Sequence, residues 1–170
     1  MASVPVSNLQ ESYKVNAKLC GPFIEAVINT LKIQCSISAT SGKPQFKADN
    51  QAERIDIAIF ATLTDKDTIS SISLCFTNKV FLAIIGKMLG EKCTEMTPEL
   101  EDAAQELINI VFNQAKKPLA LKGMAAVRSI PQIIFGSNMK VRYLTRSQAI
   151  QLPIDSDVGG CTIELTTQEV

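Results

Sequence analysis

Apolar residues change their spacing several times along this chain, and each change marks an element. Between about Lys14 and Gln34, Phe23, Val27, Ile28 and Leu31 recur at helical spacing, which predicts an amphipathic helix. Gly21-Pro22 marks its start or a kink within it. Residues 1–12 ahead of it are polar and read as a flexible segment. The polar stretch "SATSGKP" predicts a loop. The period then drops to two. In "IDIAIFATLT", Ile55, Ile57, Ile59, Ala61 and Leu63 alternate with mostly smaller or polar residues, and in "TISSISLCFT", Ile72, Leu74 and Phe76 alternate with Ser71, Ser73 and Cys75. Two strands joined as a hairpin through "TDKD" follow from that.

Helical spacing returns in "NKVFLAIIGKMLG". Thr77 or Asn78 suits the cap, Val80, Phe81, Ile84, Ile85 and Met88 form one face, and Gly90 suits the C-terminal stop. A longer helix begins near Thr97, a good N-cap. Pro98 fits its first turn, Glu99, Glu101 and Asp102 complement the dipole, and Lys116 and Lys117 suit its far end. Pro118 stops or kinks it. The remainder, "AAVRSIPQIIFG", "QAIQLPID" and "CTIELTT", is strand-like and is broken at Gly136 and Gly159-Gly160. Helices and strands do not alternate one for one. The expectation is an α+β domain, an antiparallel sheet with helices packed on one face, spanning residues 13–170 as a single domain.

Composition mainly excludes. The 170 residues suit one domain, and the formal net charge of zero offers no bulk attraction to nucleic acid or an anionic membrane. No apolar run approaches the roughly 20 residues that span a bilayer, and the N-terminus lacks the basic start and apolar stretch of a secretory signal. Histidine is absent, which removes Ser-His-Asp and Cys-His catalysis and the commonest metal ligand. The five cysteines are scattered without a Cys-x-x-Cys pair, so they read as reduced core thiols of a cytoplasmic protein. No glycine-rich phosphate loop is present. Any chemistry must come from carboxylates and amides.

The long helix offers both. Leu100, Ala103, Ala104, Leu107, Ile108, Ile110, Val111, Ala115 and Leu119 fill a broad apolar side, while Asp102, Glu106, Asn109 and Asn113 run along another edge. Glu106 and Asn109 are three apart, which places their Cβ atoms about 5–6 Å from each other, within reach of one partner. A solvated helix edge is the plain alternative. Asn costs only a few tenths of a kcal/mol of helix propensity, too little to demand a function. Cys93, in "GEKCTEM", reads as an incidental loop thiol. Lys140, Arg142 and Arg146 read as a solvated face, and Met88 and Met124 as core filler.

The spacing Asp102-x-x-x-Glu106-x-x-Asn109 resembles the motif of the CheC/CheX chemotaxis phosphatases. The likeness extends over nearly the whole chain: "GPFIEAVINTL", "CFTNKVFLAIIGKMLGE", "SIPQIIFG", "IQLPI" and "CTIELT" each resemble a family segment, in order. One intact motif copy is the CheX arrangement, since Glu25 and Asn29 of the first helix are four apart. Two glycines common in the family are replaced here by Ile108 and Asn113, and the hairpin lacks the glycines common there. The resemblance implies hydrolysis of the aspartyl-phosphate of a CheY-like receiver. Asn109 would hold the attacking water, Glu106 would pair with the receiver lysine, and Asp102 would help place the helix; Asn113, one turn on, is a further candidate contact. It implies no cofactor on this chain, magnesium being supplied by the receiver, and a homodimer joined at a sheet edge. The competing reading is a non-catalytic module of the same fold that docks on a receiver or a flagellar-switch component.

Overall fold

The structure, a computed structural model, describes residues 6–48, 53–143 and 148–170, with side chains from Val15 onward. Helix α1 (Val6–Cys35) is followed by strands β1 (Ala39–Ser41), β2 (Gln45–Phe46), β3 (Ile55–Asp65) and β4 (Thr68–Phe76). Helices α2 (Asn78–Leu89) and α3 (Pro98–Leu121) come next, then β5 (Val127–Arg128), β6 (Gln132–Met139), β7 (Ile150–Ser156) and β8 (Cys161–Glu169). The strands form one sheet in the order β1-β7-β8-β4-β3-β5, with β2 also on β7 and β6 also on β3, and every pairing is antiparallel.

Period two decides which side chains meet the helices. Ile57, Ile59, Ala61 and Leu63 of β3, Ile72, Leu74 and Phe76 of β4, Leu152 and Ile154 of β7, and Ile163 and Leu165 of β8 share one core with Phe23, Val27 and Leu31 of α1 and with the apolar sides of α2 and α3. All three helices therefore pack on one face, as the pattern predicts. A buried hydroxyl chain, Ser70 to Thr167 at 2.8 Å and Thr167 to Asn16 at 2.6 Å, ties β4 and β8 to α1.

The opposite face is polar but not bare. Glu164 is fully buried there, and its carboxylate accepts from Lys47 Nζ at 2.9 Å, Tyr143 Oη at 3.0 Å and Gln151 Nε2 at 3.1 Å. Tyr143 also lies 2.6 Å from Ser73 Oγ. Burial, reinforced by the Glu164 carboxylate, pushes the Tyr143 phenol far above its usual range and keeps it protonated. The alternate residues Ser73 and Cys75 are thereby covered rather than solvated.

Several elements depart from the pattern-based expectation. α1 begins at Val6 and runs unbroken through Gly21-Pro22, so that pair is not a helix start; residues 1–5 lie outside the described residues. Pro22 leaves the Lys18 carbonyl without its helical donor, yet Leu19, Phe23 and Ala26 on either side are all buried. α3 likewise continues past Pro118 and stops at Lys122-Gly123, where Gly123 takes φ 80°. Buried Leu119 anchors that extra turn. The "SATSGKP" loop contains β1, a short polar edge strand whose register is set by β7. In "AAVRSIPQIIFG" the chain splits into β5 and β6 around Ser129–Pro131. The hairpin manages without glycine because Lys66 adopts φ 52°. The helix caps agree with expectation: Thr77 Oγ1 accepts from Val80 N, Thr97 Oγ1 accepts from Leu100 N, and Gly90 takes φ 72°.

Asp56 joins three elements. Its buried carboxylate accepts from the backbone N–H of Asn138 in β6 at 3.0 Å, from that of Asn78 at the N-terminus of α2 at 2.9 Å, and from Arg54 Nε at 3.1 Å. The Asn138 and Asn78 N–H groups, aided by Arg54 and opposed by burial, lower its pKa from 3.8 to about 2. The folded value lies below the unfolded one. The stabilisation is therefore complete above about pH 4 and is lost as pH falls toward about 2. Asp56→Asn should cost about 2 kcal/mol at neutral pH by denaturant unfolding, and the deficit relative to wild type should shrink between about pH 4 and pH 2.

Candidate functional site

α3 starts where it does because Thr97 caps it and Pro98 needs no N–H in the first turn. Leu100, Ala104, Leu107, Ile108, Val111, Phe112, Ala115 and Leu119 are buried. Phe112 packs edge-on against Phe23 of α1, ring centroids 5.3 Å apart at 74°. Ile108, where the resemblance noted in the sequence would place a glycine, faces a pocket shared with Val27 and Leu31 of α1 and Ile59, Leu74 and Phe76 of the sheet. A side chain filling the core thus stands where a glycine would permit closer helix approach.

At about 100° per residue, Asp102, Glu106, Asn109 and Asn113 fall within an arc of roughly 60°, over a length of about 16 Å. Asp102, Glu106 and Asn113 are exposed, and Asn109 is half-buried. The structure thus brings all four sequence-identified residues onto one accessible edge. Among the described residues, no hydrogen bond or ion pair engages the side chains of Asp102, Glu106 or Asn113. Glu106 is a free carboxylate one turn from the amide of Asn109.

Asn109 does have a partner, one the sequence does not announce. Arg128 Nη1 donates to Asn109 Oδ1 at 3.0 Å, and the guanidinium carbon sits 5.2 Å from the Phe112 ring centroid. Arg128 reaches this place because β5 pairs with β3, Arg128 opposite Leu63. It follows Asn109 by 19 residues on another element. Its only signal in the sequence is a lone cation inside a strand-like segment.

Other residues weighed in the sequence lie elsewhere. Lys140 and Arg142 are exposed beside an open cleft of about 370 Å³ on the polar face of the sheet; Arg146 is outside the described residues. Cys35, Cys75 and Cys161 are buried free thiols, while Cys20 and Cys93 are partly exposed. Burial pushes Cys35 up to about 11 and Cys161 up to about 12, so both stay protonated and inert. Met124 is buried, and Met88 packs against the core from its margin. Among the described residues, no group of three or more Cys, Asp or Glu side chains is placed to hold a metal ion.

A family model described as "Chemotaxis phosphatase CheX" matches residues 59–155, more than half of the chain and the whole Asp102–Asn109 motif. The chain belongs to the CheX family. Solved structures agree. A CheC-like superfamily protein from Shewanella sp. PV-4 is 30% identical, with TM-score 0.82, covering 90% of this chain and 99% of its own. Chemotaxis protein CheX from Vibrio vulnificus is 27% identical, with TM-score 0.81, covering 89% and 99%. CheX from Borrelia burgdorferi, solved as a complex with CheY, BeF3 and magnesium, shares the fold at 20% identity and TM-score 0.71, covering 89% and 98%. Comparison with curated proteins gives no match. The antiparallel sheet with helices on one face is thus the CheC-like fold of these relatives. The "GPFIEAVINTL" helix and the closing "CTIELT" strand lie outside the matched residues 59–155.

If the exposed edge has no part in holding the fold, its residues are dispensable for stability. Glu106→Ala and Asn113→Ala should shift unfolding free energy by no more than about 0.5 kcal/mol, Asn113→Ala toward higher stability because Ala is the better helix former. Phe112→Ala, at a buried position of the same helix, should cost about 3–5 kcal/mol. Urea denaturation of the three variants checks the contrast.

Proposed function

We propose that this CheX-family chain hydrolyses the aspartyl-phosphate of a CheY-like receiver domain, using the exposed edge of α3. The observation that carries this reading is the pairing of a free Glu106 carboxylate with the accessible amide of Asn109, one turn apart on a helix of a chemotaxis phosphatase family member. A Borrelia relative of the same fold has been solved with CheY, BeF3 and magnesium, which supports a receiver as the partner.

The chemistry suits these groups. An acyl phosphate is already reactive, and the receiver supplies the magnesium. What is missing is a water in line with phosphorus. Asn109 holds that water, since an amide both accepts and donates. The water oxygen bonds to phosphorus as the bond to the aspartyl oxygen breaks, giving inorganic phosphate and a free receiver aspartate. Placement of this kind contributes several kcal/mol, with roughly 7–11 kcal/mol as the upper range. Glu106 pairs with the receiver lysine beside the phosphoaspartate and so docks the helix without bringing negative charge to the phosphoryl oxygens. Asp102 extends the acidic contact toward the N-terminus of α3, and Asn113 extends the polar contact the other way.

The reaction places the protein in the cytoplasm with its receiver. Among the described residues, no helix is long and apolar enough to cross a membrane. The same reading includes a homodimer joined at a sheet edge. Its support is β6, an edge strand that leaves Ile134 46% and Phe135 39% exposed.

With a cognate receiver phosphorylated by acetyl phosphate, a substoichiometric amount of wild type should release phosphate over many turnovers. Asn109→Ala should reduce the rate by about 100-fold or more, and Glu106→Ala should act mainly by weakening receiver binding. Stoichiometric binding without faster phosphate release, in wild type as in Asn109→Ala, would instead identify a docking module.

A further inference from the structure

We infer that Arg128 is a positioning residue for Asn109, holding its amide in one orientation before a receiver arrives. The kinetic consequence rests on the phosphatase reading; the contact itself does not.

A guanidinium can only donate, so the Asn109 atom facing Arg128 Nη1 at 3.0 Å is the oxygen. That fixes the other end of the amide. The NH2 group points away from Arg128, and one lone pair of Oδ1 remains for a water hydrogen. A free asparagine on a helix surface would sample both amide orientations and more than one rotamer. Here one is selected.

Arg128 is itself held from two sides. Its backbone is paired with β3 opposite Leu63, and its guanidinium lies over the ring of Phe112, which is held edge-on against Phe23 of α1. Phe112 lies three residues beyond Asn109, so the arginine spans neighbouring positions of one helix face. The support for the amide therefore runs without a break from the core of α1 to the surface.

The choice of partner is informative. Glu106 lies one turn before Asn109 and would form a stronger, doubly charged pair with an arginine. Arg128 engages the neutral amide instead, and Glu106 stays free of ion pairs among the described residues. The arrangement leaves the carboxylate available for a cation of the partner while ordering the amide. It also sets a fixed positive charge behind the group that meets a phosphoryl centre, which strengthens donation from the amide NH2 through hydrogen-bond polarisation.

Two measurements test this on the whole chain. In the unbound protein, the Asn109 side-chain NH2 resonances, assigned by their loss in Asn109→Ala, should be well dispersed and rigid on the ps–ns timescale. In Arg128→Ala they should move toward free-amide shifts and lose order, while the backbone spectrum remains that of the folded protein. In turnover assays, Arg128→Ala should lower kcat by roughly 10-fold to 100-fold with KM within about twofold. Arg128→Lys, which keeps a donor but not the planar guanidinium, should fall between. In an Asn109→Ala background, Arg128→Ala should cost almost nothing further. An Asn109 amide unchanged by Arg128→Ala overturns the proposal, and so does a kcat loss of the same size in the Asn109→Ala background. A wild type that releases no phosphate removes the phosphatase reading and with it the kinetic role, and the amide spectra then decide the contact alone.

Discussion

The burial of one side of α3 is the constraint on which the site depends. Eight residues of that helix are buried against α1, the sheet and its neighbours, and burying each large apolar side chain is worth about 1.5–3 kcal/mol. The rotation of the helix about its axis is therefore fixed by a term far larger than anything its polar edge contributes. Once Leu107, Ile108 and Val111 face the core, Glu106 and Asn109 have no choice of direction. The polar edge inherits its placement from the apolar side, which is why two asparagines can stand on it at trivial cost in helix propensity.

Features set within a few residues were legible in the sequence. The caps of α2 and α3 and the hairpin turn follow from side chains that act on their own backbone, and the structure places Thr77, Thr97 and Gly90 in those roles. The edge formed by Asp102, Glu106, Asn109 and Asn113 was legible for the same reason, being a consequence of helical period alone. Pro22 and Pro118, each read as a helix end or a kink and each found inside a helix, show where local reasoning stops. An interior proline costs a helix about 3 kcal/mol, but burial of Leu19, Phe23 and Ala26 around Pro22, and of Leu119 after Pro118, lies on the other side of the balance. That burial is tertiary and does not show in a local pattern. β1 was invisible because a three-residue polar edge strand has no signature apart from the strand it joins. Arg128 was illegible for the deepest version of this reason: its meaning comes from β5 pairing with β3 beside α3.

The polar face of the sheet poses the opposite problem to α3. A fully buried Glu164 surrounded by Lys47, Tyr143, Gln151 and Ser73 is costly to assemble, since several polar groups lose water together. Replacement by apolar residues would be at least as stable in principle. What the cluster does supply is directionality. It joins Lys47 and Tyr143, from two separate connections, to β4, β7 and β8, and a salt bridge with three kinds of donor tolerates far less slippage than apolar contact. Register matters here because a one-residue shift of β4 or β8 would turn Ile72, Leu74, Ile163 and Leu165 away from the core they share with the helices. The polar face thus protects the registration of the apolar face that holds the site.

Rigidity at the site has a direction as well. Among the described residues Glu106 is left unpaired at the surface, and in the proposed complex its long flexible carboxylate would search for a lysine and tolerate small differences in how a partner docks. Asn109, a shorter side chain, is half-buried and tied through Arg128 to Phe112 and Phe23. The difference matches what the proposed reaction would ask of each group. Charge attraction falls off slowly with distance, so a mobile carboxylate loses little by an error of an ångström. A water held in line with a phosphorus atom has no such tolerance, because misplacement on that scale costs about two orders of magnitude in rate. In the proposed reaction, a helix edge that keeps its charged residue loose and its amide fixed would therefore assign flexibility to docking and order to the chemistry.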